Sequence, residues 1–384
     1  MAKKMYVGVS GVARKVKKIY VGVSGKARKV KKGYIGVGGK ARLFFSGGEL
    51  AYYGTITSLY HEIEYHAAAS TGNYALFGGG YYSNSARNYV DAYNESLTKS
   101  NPTSLSTSRY YFSGTSIGDY ALFGPGERSS SSESRYVDAY NKSLTRTYTS
   151  YSDTAADPGS KFPATSLGEY AFFCKQGAGS VLTTSLTATR LTEKLTNSPI
   201  SLAATSTTNN ALFGGGGSIS TNGVVANVAN VGAYDSSLTK SDATSLSTAR
   251  RFLAATSVGG YALFAGGIAS TGHSSKVDSY SPSLTKGVPT KLSVARCYLT
   301  GVNIGDYAIF AGGMTGAGVD GLSPTVDVYD TSLTRTIMTS LSAKRHSIES
   351  TTVGNYALFG GGMGVSSNGN YTSLSAAVEA YVVG

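Results

Sequence analysis

The sequence predicts an all-β fold: a seven-bladed β-propeller with an N-terminal arm of short β-hairpin repeats. Three observations predict it. The run Tyr74-Ala75-Leu76-Phe77-Gly78-Gly79-Gly80 recurs seven times, with close copies starting at Tyr120, Tyr170, Asn210, Tyr261, Tyr307 and Tyr356. A period of about 40 to 50 residues marks propellers and solenoids. The 384 residues include 49 Gly and 29 Tyr but no Trp, and only 15% are charged, a turn-rich composition that leans to β structure. Each repeat also divides into short apolar runs separated by turn residues.

The arm comes first. Three 14-residue units start at Tyr6, Tyr20 and Tyr34. In the first, Tyr6-Val7-Gly8-Val9 and Ala13-Arg14-Lys15-Val16 read as two strands. Ser10-Gly11, Ser24-Gly25 and Gly38-Gly39 supply the positive φ that a two-residue hairpin turn needs. Strands this short bury little, so each hairpin needs to stack on its neighbours, on sister copies or on a partner.

Residues 1–42 hold 13 of the 34 Lys and Arg and no Asp or Glu, which leaves the remainder with 21 basic against 22 acidic residues. The +12 net charge therefore belongs to the arm. Lys3, Lys4, Arg14, Lys15, Lys17, Lys18, Arg28, Lys29, Lys31, Lys32 and Arg42 are the candidate anchoring residues. Their charge has two readings: it solubilises an edge-rich β segment, or it docks the chain on an acidic surface. Basic residues interleaved with Tyr also suit nucleic acid, but no recognised motif supports that partner. The start carries no apolar segment of a signal peptide, and no transmembrane or lipidation pattern follows. Synthesis in a cytosol, with no membrane insertion, is expected.

In each repeat the first strand is apolar, as in Arg251-Phe252-Leu253-Ala254-Ala255-Thr256. Gly72-Asn73, Gly118-Asp119, Gly168-Glu169, Gly259-Gly260, Gly305-Asp306 and Gly354-Asn355 are tight turns. The second strand is Tyr-Ala-Leu-Phe ending in glycines. The third is Val90-Asp91-Ala92-Tyr93 and its copies at Val137, Val277 and Val326. The fourth is expected around Thr103-Ser104-Leu105 and its copies.

A hydrophobic strand ending in Gly-Gly, then a strand ending in Tyr, then a last strand resembles the kelch repeat over about residues 55–384. The resemblance implies four-stranded propeller blades. It departs where kelch repeats carry Trp; Leu97, Leu144, Leu238, Leu284 and Leu333 are expected to take that packing role. The third repeat is degenerate, with Lys175-Gln176-Gly177 replacing the glycine run and Leu182 replacing Tyr.

The chain ends just after Val378-Glu379-Ala380-Tyr381, a third strand, so the last blade lacks its fourth. Thr57-Ser58-Leu59 stands 15 residues before Tyr74, as Thr103-Ser104-Leu105 stands before Tyr120. The expected organisation is an arm at 1–46, a linker at 47–54, and a propeller at 55–384 closed by strand 55–60 joining the last blade.

From the third strand to the next second strand the distance holds at 27 in four repeats, as from Tyr93 to Tyr120. From second to third strand it varies, from 12 between Tyr170 and Leu182 to 25 between Tyr356 and Tyr381. Length variation therefore sits in loops that share one face of a propeller. They are rich in Gly, Ser, Asn and Tyr, a composition that suits adaptable recognition with aromatic anchors and equally suits tolerant surface loops. The candidate ligand-binding residues are Tyr81, Tyr82, Asn84, Arg87, Arg128, His273, Asn368, Asn370 and Tyr371.

Asp91 and Arg109, Asp278 and Arg296, and Asp327 and Arg345 are each 18 apart, and their repetition predicts structural ion pairs. His61, His66, His273 and His346 show no metal-ligand spacing, and Cys174 and Cys297 form no framework. No metal or cofactor is expected. The glycine runs close a strand and open no helix, so they are not phosphate loops. No convergent acid, base or metal set points to an enzyme.

The arm together with Ser46-Gly47-Gly48-Glu49-Leu50-Ala51-Tyr52-Tyr53-Gly54 resembles the opening of prophage-encoded kelch-like proteins from gut Firmicutes. That resemblance implies a virion or tail-associated structural protein. It would be made in the host cytoplasm and carried in the particle as a homo-oligomer or in multiple copies. The arm would anchor to other virion proteins, and the loops would face a cell-surface glycan or protein. The alternatives are a kelch adaptor outside any virion and a propeller enzyme.

Overall fold

The computed structural model describes residues 48–384 except 130–132, 151–162, 176–177, 196–199, 220–224 and 366–372, with backbone alone for 133, 175, 178, 219, 319 and for six strands between 6 and 46. The fold is all-β. Among the described residues one 3-10 turn, Val319–Gly321, is the helical exception.

Among the described residues, seven four-stranded antiparallel sheets follow one another along the chain. The first contains Ala67–Ser70, Tyr74–Gly78, Val90–Asn94 and Lys99–Ser100, in that spatial order. The next five repeat this order with first strands Gly114–Ile117, Ala164–Leu167, Ala203–Ser206, Ala254–Val258 and Thr300–Ile304. The seventh joins Glu349–Val353, Tyr356–Gly360 and Val378–Val383 to Leu50–Ile56 from the other end of the chain. The first strand of each sheet lies against the first strand of the next, and Glu349–Val353 lies against Ala67–Ser70. This arrangement is consistent with a β-propeller.

Local chemistry explains the strands. Gly118 adopts φ +52 in the two-residue turn between Ile117 and Tyr120, where an L-residue would be strained. Ala121, Leu122 and Phe123 have no exposed surface because both faces of the second strand meet neighbouring sheets. That double burial is why the run is continuously apolar and does not alternate. The core is accordingly divided among the gaps between sheets. Ala67, Leu76 and Ala92 of the first sheet pack with Ala121, Phe123 and Tyr140 of the second. Glycine after the second strand makes room for the neighbour's ring: a Cβ on Gly214 would stand 2.8 Å from Phe264, and one on Gly360 would stand 2.9 Å from Phe77.

Two expectations need correction and one needs extension. The strand beside Val378–Val383 is Leu50–Ile56, so Leu50 to Gly54 belong to a sheet and not to a linker. Its alternating burial, with Leu50 inside, sets that register. Thr103-Ser104-Leu105 is not the fourth strand. That strand is Lys99–Ser100, and Thr103 lies in the connection beyond it, where its carbonyl accepts from the Tyr140 hydroxyl. Thr57 holds the same place, with its carbonyl accepting from Tyr93. Finally, Leu97, Leu144, Leu238, Leu284 and Leu333 are turn residues as well as packing residues. All sit at φ between +59 and +62. In the first sheet Asn94 Oδ1 accepts from the amides of Ser96 and Thr98 and stabilises the turn.

In the arm, Tyr6–Val9 pairs with Val12–Lys15, Tyr20–Val23 with Lys26–Lys29, and Lys32–Val37 with Lys40–Ser46. Val9 pairs with Val12 and Val23 with Lys26. No helix among the described residues is long and apolar enough to cross a membrane.

Candidate functional site

The repeated arginines are structural, but their partners differ from the expected ones. Arg109 meets Asp138 at 2.6 Å, Arg250 meets Asp278 at 2.8 Å, Arg296 meets Asp327 at 2.7 Å and Arg345 meets Glu379 at 2.7 Å. Asp91–Arg109, Asp278–Arg296 and Asp327–Arg345 are therefore not pairs. Each arginine precedes the first strand of its own sheet, at the end where the second strand finishes and the third begins. From there Arg109, Arg250 and Arg296 also donate to the carbonyls of Phe123, Phe264 and Phe310. Burial lowers the pKa of Arg109, Arg296 and Arg345, and the adjacent carboxylate opposes that shift. In the first sheet Ile63 stands where the arginine would be. Asp91 accepts instead from Asn101 at 2.7 Å and from the amide of Tyr60, with Lys99 3.4 Å away.

Two residues after each arginine position, the backbone turns left-handed. Tyr65, Tyr111, Ser201, Phe252, Tyr298 and Ser347 have φ between +51 and +55. In four of them the turn aims the amide at the preceding repeat: Tyr111 donates to Tyr65, Phe252 to Ser201, Tyr298 to Phe252 and Ser347 to Tyr298. Such conformations cost about 1–3 kcal/mol each for non-glycine residues and persist where surrounding structure holds them. All six residues line a cavity of about 320 Å3, together with Ala-rich first strands, Ser113, Thr300, Ser350 and Glu349. That volume is at the lower end of the ~300–1,000 Å3 typical of small-ligand sites. Tyr65 and Tyr111 are in ring contact at 4.1 Å, and Phe252 stacks on Tyr298 at 4.4 Å.

The variable loops open at the same end. Antiparallel bridges tie the residue after the arginine position to the start of each loop, as in Glu64↔Tyr81, Tyr110↔Glu127, Arg251↔Ile268 and Cys297↔Met314. Of the loop residues expected to bind, Tyr81, Tyr82 and Arg87 come together. Tyr81 contacts Tyr110 at 4.9 Å, and Tyr82 stacks on His61 at 5.5 Å. The Arg87 guanidinium lies 5.4 Å from the Tyr82 ring centroid. Asn84 is a turn residue at φ +57, between the paired Tyr82 and Ser85. Arg128 is exposed, and His273 sits in a short hairpin opposite Ile268. Asn368, Asn370 and Tyr371 lie outside the described residues, as do Lys3, Lys4, Lys17, Lys18 and Lys31 of the arm. Arg14, Lys15, Arg28, Lys29, Lys32 and Arg42 lie on the arm strands.

Sequence reasoning missed Tyr65, Tyr110, Tyr111, Phe252 and Tyr298, because an aromatic just before an apolar run reads as strand. For Tyr111, Phe252 and Tyr298 a constant offset of two from the repeated arginine was the available signal. It also missed Glu64. Burial pushes the Glu64 carboxyl up to about 7, partly opposed by its hydrogen bond with Tyr65. Burial and then Glu127 push Tyr110 up to about 12. Burial pushes His346 down to about 4, and its Nδ1 is 2.9 Å from the Ser347 hydroxyl. Cys174 and Cys297 are buried and form no disulfide. Among the described residues no group of three or more His, Cys, Asp or Glu could hold a metal ion. The arrangement offers aromatic faces, hydroxyls and one carboxylate, Glu349, around an open cavity, a set suited to holding a ligand. No protein-family model matches the chain, and comparison with curated proteins finds no match.

Proposed function

We propose that the chain is a seven-bladed, kelch-like β-propeller serving as a structural and recognition component of a phage or phage-like particle. The basic arm anchors it to other virion proteins. The loop face binds a receptor or glycan on the host cell. The protein works by binding, not by catalysis.

Two contacts support a closed ring. The Tyr93 hydroxyl reaches Thr57 just as the Tyr140 hydroxyl reaches Thr103, so the stitch between neighbouring sheets is repeated between Leu50–Ile56 and the first sheet. Phe77 packs over Gly360 as Phe264 packs over Gly214. The observation that carries the recognition role is the set of aromatic residues in left-handed conformations lining a cavity at the loop end. The arm's charge, free of any acidic residue through position 42, supports attachment to an acidic protein surface.

The test is binding of labelled full chain to intact cells of gut Firmicutes and of unrelated bacteria. Strain-selective binding that disappears when surface glycans are stripped is the expected result. Uniform binding to every strain, or binding to none, contradicts it.

A further inference from the structure

At the loop end, between the first and second sheets, two bridge positions depart from the other repeats. The residue after the arginine position is Glu64 in the first sheet and Tyr110 in the second. Elsewhere it is Ile200, Arg251, Cys297 or His346. The residues opposite are Tyr81 and Glu127, and elsewhere Gly217, Ile268, Met314 and Met363. Among these bridges carboxylates enter only at the first two, each opposite a tyrosine.

The aromatic rings there are continuous. Tyr81 meets Tyr110 at 4.9 Å, Tyr110 meets Tyr111 at 5.1 Å, and Tyr111 meets Tyr65 at 4.1 Å. Tyr65 is hydrogen-bonded to Glu64 and to Tyr111, and Tyr110 to Glu127. Glu64 is only 8% exposed, and its Oε2 has no hydrogen-bond partner among the described residues. The leading electrostatic influences on Glu64, Tyr65, Tyr110 and Tyr111 come from these carboxylates and phenols, with no lysine, arginine or histidine among them. The nearest guanidiniums in sequence are Arg109, committed to Asp138, and Arg128, which follows Glu127 and is exposed, while Arg87 donates to the Tyr82 carbonyl. Tyr65 and Tyr111 line the cavity, whose lining among the described residues includes one carboxylate, Glu349, and no Lys, Arg or His.

A buried carboxylate oxygen without a partner carries an uncompensated desolvation cost. Tyrosine ring faces carry negative electrostatic potential and attract cations. An anion would meet two glutamates and the ring faces. A neutral sugar would leave the carboxylate without a counter-charge. A cation satisfies both groups at once.

We propose that the Glu64–Tyr65–Tyr81–Tyr110–Tyr111–Glu127 cluster, which reaches the cavity through Tyr65 and Tyr111, binds an organic cation, a protonated or quaternary amine. This rests on the reading of the loop face as the recognition surface, and it names the chemistry recognised there. The amine is either free in solution or carried on a surface polymer.

The test titrates the full chain with tetramethylammonium and choline, and with the uncharged choline isostere 3,3-dimethylbutan-1-ol, following tyrosine resonances or heat. Both cations bind saturably and the alcohol at least about tenfold more weakly. Glu64→Gln and Tyr111→Leu each weaken the cations about tenfold, while Tyr111→Phe, which keeps the ring face, retains most of the affinity. A purely structural role for Tyr111 would not separate Phe from Leu in binding when both variants melt alike. Equal binding of the alcohol, unchanged affinity in Glu64→Gln, or no binding of either cation overturns the proposal. If cells bind but amines do not, the cation inference falls and the recognition reading stands. If amines bind but cells do not, the reverse holds. Where both bind, competition of cell binding by tetramethylammonium identifies a surface-borne amine, and its absence identifies a free one.

Discussion

The guanidinium of Arg109 and the carboxylate of Asp138 lie 2.6 Å apart, and neither has exposed surface. Ser106 donates its amide and hydroxyl to the same carboxylate. Arg146, on the fourth strand, approaches the other oxygen at 3.2 Å. One acid thus joins the third strand, the fourth strand and the incoming connection. Asp327 repeats the arrangement with Arg296, Ser293 and Arg335.

Removing one partner of such a pair leaves a buried charge. Arg296→Met should destabilise the protein by about 3–5 kcal/mol, because Asp327 is left without its guanidinium. The double change Arg296→Met with Asp327→Leu should recover a large part of that loss. Chemical denaturation of the parent, both single variants and the double variant measures the coupling.

Those partners were hard to read because the periodic chain offers Arg109, Arg296 and Arg345 two acids each. The acid of the preceding repeat is a constant 18 residues away. The true partner lies 29, 31 or 34 residues on, in Asp138, Asp327 and Glu379. The variable loop falls between arginine and true partner, so the constant spacing pointed to the wrong acid. The apolar second strands and glycine turns were legible because their signals are local. The left-handed Tyr111, Phe252 and Tyr298 were not, because L-residues rarely adopt positive φ and only the fold imposes it.

The terminal strand contributes its own stability. Leu50 is buried, and the Tyr52 hydroxyl donates to Glu379 at 2.9 Å. A chain beginning at residue 48 should melt close to the full chain. One beginning at residue 58 leaves the edge of Val378–Val383 unpaired and should melt several degrees lower with reduced cooperativity. Calorimetry of the two truncations distinguishes them.

Glu64 and His346 should give pH effects of opposite sense. The Glu64 carboxyl is raised from its ordinary 4.5 to about 7. Its contribution to stability is full below pH 4.5 and is lost as pH rises through 7, roughly 3 kcal/mol overall. His346 is lowered from 6.5 to about 4. Its contribution is full above pH 6.5 and is lost as pH falls through 4. Melting temperatures from pH 4 to 8 should show Glu64→Gln gaining on the parent above pH 7. His346→Gln should gain on the parent below pH 5.

The glycine that admits a neighbour's ring should tolerate no added methyl. Gly214→Ala places a Cβ 2.8 Å from Phe264 and should cost about 1–3 kcal/mol through overpacking. Gly168→Ala, where a Cβ meets nothing within 4 Å, isolates the backbone cost of its φ of +56. Paired unfolding curves give both values.

The recognition role is tested most directly by changing the aromatic lining without changing the backbone. Serine already occupies the left-handed position at Ser201 and Ser347, so Tyr111→Ser with Tyr298→Ser suits the fold. Labelled parent, this variant and an opposite-end control, Asp119→Ala with Glu169→Ala, are compared for binding to intact bacterial cells. A loss of binding of about tenfold or more in the serine variant, with the control unchanged, is the predicted result. Equal binding by all three proteins contradicts the assignment of recognition to the loop face.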